Sequence, residues 1–183
     1  VTTVLGDKLD KTWLIEWKRR VGAREAKKVS GVATRRGSAI HGICERYVAN
    51  EEDYLKGVMP IHQSMFSSIK TILDRYVDDI YGIEIPLYSL TLKTAGRTDL
   101  VAKYNGVPTI IDYKTSKKVK TESQILSYFL QSTVYSMMFE RAYHIPIPQI
   151  AIIIAVDDEP QPLVFVKPRG IYVKKVLDVF VGD

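Results

Sequence analysis

Asn105-Gly106 is the feature that most limits what this chain can become. The pair separates two runs with alternating character, Gly96 to Tyr104 and Val107 to Tyr113. A two-residue hairpin turn needs positive φ at both central positions, which Asn and Gly adopt at least cost. The sequence therefore predicts a β-hairpin with Tyr104 opposite Val107. Counting outward in that register, Asp99 falls opposite Asp112 on one face of the sheet, with Cβ atoms roughly 4.5 to 5.5 Å apart. Lys114 shares the face by the strand period of two. Facing carboxylates repel, and the conflict is relieved by a raised pKa, by solvation, or by a cation between the oxygens. Hard oxygen ligands suit Mg²⁺ or Mn²⁺. A neighbouring lysine can hold or deprotonate a water, or stabilise charge on a phosphate. On spacing alone, a solvent-facing Asp-Lys ion pair on an amphipathic strand is the alternative.

The rest of the chain supplies elements to flank that hairpin. From Lys11 to about Ile80 the pattern is helical: Trp13 and Trp17 stand one turn apart, Ala39, Ile43 and Tyr47 follow after Gly37, and Pro60 opens a run through Met65, Ile69, Ile72 and Tyr76. Ile83 to Leu92 alternates around Pro86 as a further strand, with a hinge expected at Thr94-Ala95. Glu122 to Tyr143 reads as a long helix with an apolar stripe of Leu126, Leu130, Val134 and Met137 and a second stripe of Gln124, Tyr128, Gln131 and Tyr135. Pro146 and Pro148 end it. Gln149 to Val156 is a continuous apolar run of buried-strand type, Leu163 to Val166 another strand, and a closing helix follows near Ile171. The order predicts an α/β fold: a mixed central β-sheet flanked by helices, with an N-terminal helical region. With 183 residues, 46% of them hydrophobic, one domain spanning 1–183 is expected, divided into a helical part (1–80) and a sheet-containing core (81–183).

Composition narrows the setting. The apolar run ending at Val156 is too short to cross a bilayer, and the opening residues lack a signal-peptide pattern, so no membrane partner is expected. One cysteine, Cys44, excludes an internal disulfide and a Cys-rich zinc site, and fits a reducing compartment. The 26 Lys+Arg against 21 Asp+Glu tilt the chain toward a polyanionic partner.

Four blocks in order carry a family resemblance: Arg36-Gly37-Ser38-Ala39-Ile40-His41, Gly96-Arg97-Thr98-Asp99, Ile111-Asp112-Tyr113-Lys114-Thr115-Ser116-Lys117 and Gln131-Ser132-Thr133-Val134-Tyr135. Together they resemble the PD-(D/E)XK nucleases, in particular the RecB-like branch that includes the mitochondrial genome maintenance exonucleases and their relatives in tailed phages. The resemblance implies a nuclease fold and a divalent metal held by His41, Asp99, Asp112 and the Tyr113 carbonyl, with Lys114 as catalytic lysine. It also implies that Gln131 and Tyr135 brace the site and approach DNA. The position before Asp99 holds Thr98 where the bare motif has Pro. The branch implies an exonuclease on single-stranded DNA with a free end, in repair, recombination or genome maintenance. It would work in the cytoplasm, that of an infected host if phage-encoded, or in mitochondria for an organellar homologue. A structure-specific or restriction-type endonuclease of the same superfamily, and a DNA-binding module without catalysis, are the rivals.

Further candidates attach to this reading. Arg36 supports the His41 segment, and Lys117 and Lys118, with Lys120, form a loop suited either to DNA backbone contact or to solvation. Glu45, one helical turn from His41, can orient the imidazole. Glu84 resembles an acidic residue that some members place beside the metal; a solvated strand-end glutamate is the other account. His62 and His144 are expected at the surface, Trp13 and Trp17 in the core or a groove wall, and Cys44 in inert packing.

Overall fold

The computed structural model describes residues 1–182, the side chain of Trp13 excepted. The elements in chain order are α1 (Thr2–Lys8), α2 (Thr12–Val21), α3 (Ala23–Val48), α4 (Pro60–Tyr76), β1 (Val77–Ser89), β2 (Thr94–Tyr104), β3 (Val107–Ser116), a 3₁₀ turn (Glu122–Ile125), α5 (Leu126–Tyr143), β4 (Gln149–Val156), β5 (Leu163–Pro168) and α6 (Gly170–Phe180). They build a five-stranded sheet in the order β1-β2-β3-β4-β5. β1, β2 and β3 form an antiparallel meander, α5 carries the chain across to β4 parallel to β3, and β5 returns antiparallel at the edge. The predicted mixed sheet flanked by helices is the fold observed.

Strand parity sorts the apolar residues between two faces. Leu100, Ala102, Ile111, Tyr113 and Ile153 pack with Ile40, Ile43 and Cys44 of α3 and with Phe66 and Ile69 of α4. Val101, Ile110, Ile150, Ile152 and Ile154 pack with Phe129, Leu130, Val134 and Met138 of α5. β4 is covered on both faces, which is why its sequence is apolar without alternation.

Two expectations need correction. The turn between β1 and β2 is at Leu90 to Lys93, where Lys93 takes φ +47°, and Thr94 and Ala95 already belong to β2. α3 starts at Ala23 and runs through Gly31 and Gly37, because burial of its C-terminal half against the sheet outweighs about 1 kcal/mol of helix propensity lost per glycine. In the second stripe of α5, Gln131 and Tyr135 are buried. α6 covers the outer side of α5, with Tyr172 stacked on Phe129 at a centroid distance of 5.0 Å. Trp17 is half-buried, and the expectation for Trp13 lies outside the described residues. Cys44 is buried as expected, His144 is exposed, and His62 is half-buried.

Candidate metal and catalytic site

The hairpin register holds from Tyr104↔Val107 outward to Leu100↔Ile111 and the paired ladder goes no further. The next donor in line, the Tyr113 N–H, is taken by the Asp99 side chain, with Oδ2 accepting at 2.8 Å. The direct cross-strand pairing of Asp99 with Asp112 is therefore not part of the ladder: one carboxylate is spent on the backbone of the opposite strand, which relieves the like-charge repulsion. Where the ladder opens, side chains from both sheet faces meet. His41, carried by α3, brings Nδ1 to 3.3 Å from Asp99 Oδ1 and sets its ring edge-on to Tyr113. Burial opposes a charged imidazole, but the hydrogen bond and charge of Asp99 overcome it, and the His41 pKa is raised.

Lys114 and Asp112 form a contact of 2.5 Å from Nζ to Oδ2, with side chains 19% and 2% exposed. That burial excludes the solvent-facing ion pair. Lys114 lies over the Tyr128 ring of α5 at 5.1 Å. Burial works against the ammonium, yet Asp112 and Asp99 together outweigh it and raise the Lys114 pKa. Burial also pushes Asp112 up, to about 6: the attraction of Lys114 works against this, while Asp99 adds to it. The two shifts are compatible. Lys114 faces two carboxylates, whereas Asp112 faces one cation and one competing anion.

Glu84 joins the site from β1. Ile83 pairs with Leu100 and Ile85 with Thr98, so Glu84 stands opposite Asp99. Its backbone takes φ +50°, a costly conformation for a residue with a side chain. One ligand atom each from His41, Glu84 and Asp99 lie within 4.8 Å of one another. Burial raises the Glu84 carboxyl, and the charges of Asp99 and Glu45 push the same way. Glu45 is exposed and contributes its charge from α3, while the imidazole's carboxylate partner is Asp99.

The other candidates occupy distinct places. Arg36 is tied down: its guanidinium donates to Asp157 Oδ2 at 2.8 Å and to Thr115 Oγ1 at 3.2 Å, fastening α3 to the end of β3. Nothing in the local sequence pairs Arg36 with Asp157, which is remote in the chain. Lys117 and Lys118 are exposed in the loop after β3. Gln131 and Tyr128 line a groove of about 990 Å³ between the first two helices and the start of α5, together with Lys8, Lys11 and Lys120.

A profile of the PD-(D/E)XK nuclease superfamily matches residues 13–163. The chain belongs to that superfamily. No curated protein matches the sequence. A solved protein described as "Crystal structure of SSO0001" aligns over 78% of this chain and 74% of its own, at 12% identity and a TM-score of 0.36. PD-(D/E)XK nucleases use divalent metals and act on DNA, and the donor set here fits such an ion. Burial raises the Glu84 and Asp112 pKa values and the charge of Asp99 adds to both, a penalty on negative charge that a bound cation would relieve. Asp112 Oδ2 is buried without a hydrogen bond, its approach to Lys114 lacking the directional geometry of one. Hard oxygens with one imidazole match the ligand chemistry of Mg²⁺ or Mn²⁺.

Gly96 positions the α5 side of this nuclease site. A Cβ there would lie 2.6 Å from Tyr135 Oη and 2.9 Å from its Cε1. Gly96→Ala should cost about 1–3 kcal/mol by overpacking, measured as a fall in the urea midpoint. An unchanged midpoint would mean that the buried Tyr135 ring moves aside freely.

Proposed function

We propose that the protein is a divalent-metal-dependent DNA exonuclease of the RecB-like branch, acting on single-stranded DNA with a free end. The observation that carries this reading is the buried Asp112–Lys114 pair beside Asp99, with His41 brought to the same carboxylate from the opposite sheet face. His41, Asp99, Asp112 and the Tyr113 carbonyl would hold the ion, and Glu84 joins them by position. Bound there, Mg²⁺ or Mn²⁺ would make a water nucleophilic near neutral pH and offset charge on the phosphate.

The chain's own residues set up the rest. Asp99 orients His41 through Nδ1 and fixes the Tyr113 backbone, so the donor atoms are placed before substrate arrives. Lys114 Nζ holds a water or meets charge developing on the phosphate, and its ammonium cannot ligate a metal because it has no free lone pair. The groove supports the single-strand reading: the Tyr128 ring offers a stacking surface, and Gln131 and Lys120 can meet a strand entering beside Lys114. Lys117 and Lys118 contact the backbone from the loop beyond β3.

The test compares end-labelled linear and covalently closed single strands with and without Mg²⁺. The linear strand should be degraded from its end only with metal, and the circle should survive. Equal loss of both would replace the exonuclease by an endonuclease of the superfamily, and metal-independent binding with no cleavage would leave a DNA-binding module.

A further inference from the structure

We infer that the hairpin of α2 and α3 is a second nucleic-acid contact, gripping the phosphate backbone several nucleotides away from the scissile bond. The inference rests on the nuclease reading for its ligand and on different residues for its evidence.

Nine of the twenty basic residues elsewhere pair with acids among the described residues. Lys11 meets Asp7, Lys70 meets Asp74, Lys103 meets Asp79, and Lys167 meets Glu122, all within 4.0 Å. The hairpin concentrates six unpaired cations within eleven residues. Lys18, Arg19, Arg20, Arg24, Lys27 and Lys28 are all exposed, and among the described residues none forms an ion pair. Glu25 is the one acid between Lys18 and Arg36. The formal charge of +5 therefore comes from this segment, and the remainder of the chain is slightly acidic.

Helix electrostatics explain only part of the cluster. Lys18, Arg19 and Arg20 occupy the last turn of α2, where the macrodipole favours cations. Arg24 is in the first turn of α3, where cations are disfavoured, and Lys27 and Lys28 follow in the next turn, where the dipole gives them no support. Gly22, at φ +83°, is the single residue between the two helices, so both sets of charge flank one junction. Uncompensated like charges there oppose folding, and a polyanion relieves them.

The hairpin is also tied to the site. α3 is one continuous helix that carries Lys27 near one end and His41 toward the other, with Arg36 fastening it to the end of β3. Fourteen residues at a rise of about 1.5 Å separate Lys27 from His41 by about 21 Å along the axis. At about 3.4 Å per phosphate, the spacing of a helically stacked strand, that span covers about six nucleotides, and an extended single strand, at nearly twice that spacing, covers it in about four. A strand shorter than this reaches the metal site without reaching the hairpin.

The experiment measures binding of fluorescent oligothymidine of about three and about thirty nucleotides, in Ca²⁺ over a range of salt, for the parent, Arg19→Glu/Arg20→Glu and Lys27→Glu/Lys28→Glu. Both variants should bind the long strand about tenfold or more weakly, with the log–log salt slope falling by about 0.7 for each phosphate no longer neutralised. The short strand should bind and be cut as by the parent. Unchanged affinity and slope for the long strand would overturn the inference, as would loss of binding to phosphatidylserine vesicles with DNA binding intact. So would equal weakening for both lengths. Failure of the parent to cut any DNA in Mg²⁺ would refute the nuclease reading separately, leaving the length-dependent charge effect to be judged by itself.

Discussion

Lys114→Ala should slow cleavage by about 10²–10³-fold, the loss of about 3–4 kcal/mol that follows removal of a positioned donor at a transition state. The ammonium is held for that role. Its side chain is 19% exposed, its pKa stays raised against burial by two carboxylates, and the Tyr128 ring covers it. Removing it leaves Asp112 buried with Asp99 repelling it, so the metal-free variant should also lose stability, by about 3–5 kcal/mol for a broken buried pair. A saturating divalent ion offsets that loss, so single-turnover rates belong in high Mg²⁺ and DNA affinity in Ca²⁺. Metal and DNA binding should then remain near parental while the cleavage step falls. If Lys114 were only a structural partner of Asp112, restoring stability with metal would restore the rate. A Lys114→Ala protein that cuts at near parental speed ends the proposed mechanism, whatever becomes of the fold.

The sequence made this site legible to different depths, for physical reasons that can be named. Hairpin register was readable because Asn105-Gly106 fixes the turn by local backbone chemistry, and the ladder follows it to Leu100↔Ile111. The end of that ladder was not readable, because it depends on a side chain, Asp99, outcompeting a backbone acceptor for the Tyr113 N–H. The resemblance pointed to Glu84, but its place opposite Asp99 was hidden by a misplaced turn. With the turn at Leu90 to Lys93, β1 register sets Glu84 opposite Asp99, but Leu-Thr-Leu-Lys carries no Gly, Asn or Pro to mark it. The stripes of α5 showed only part of its buried surface, since Phe129, Ser132, Thr133 and Ser136 are buried as well. Amphipathic periodicity supposes that one face meets water, and here α6 closes the outer side with the Phe129–Tyr172 stack. Arg36 stands in its sequence block without a partner, since its bonds to Thr115 and Asp157 exist only after the sheet forms.

Asp112→Asn should abolish most of the thermal stabilisation that Mg²⁺ gives the parent, and the parent's own stabilisation should depend on pH in a fixed direction. The Asp112 carboxyl is fully buried, hydrogen-bonded to nothing at Oδ2, and raised by burial to about 6 from an ordinary value of 3.8. A raised carboxyl stabilises the folded chain most when protonated: that contribution is complete below 3.8 and is lost as pH rises through about 6. His41 is raised as well, so its contribution is complete below 6.5 and disappears as pH rises through its folded value. The metal-free protein should therefore lose stability as pH rises from 3.8 through about 6, and further above 6.5. A divalent ion requires these same groups deprotonated, so it should stabilise little at the acid end and strongly at the alkaline end. At a hundredfold excess over its dissociation constant the gain is about 2.7 kcal/mol, or about 5–10 °C in Tm for a chain of this size. Asn keeps the shape and removes the charge. The metal-dependent shift should collapse in Asp112→Asn, whereas Lys114→Ala, which leaves every proposed ligand in place, should keep it. Asp99 is the poorer probe, because its carboxylate also holds the Tyr113 N–H and His41. An Asp112→Asn protein stabilised by Mg²⁺ as strongly as the parent at pH 8 would remove Asp112 from the ligand set and leave the ion to His41, Glu84 and Asp99.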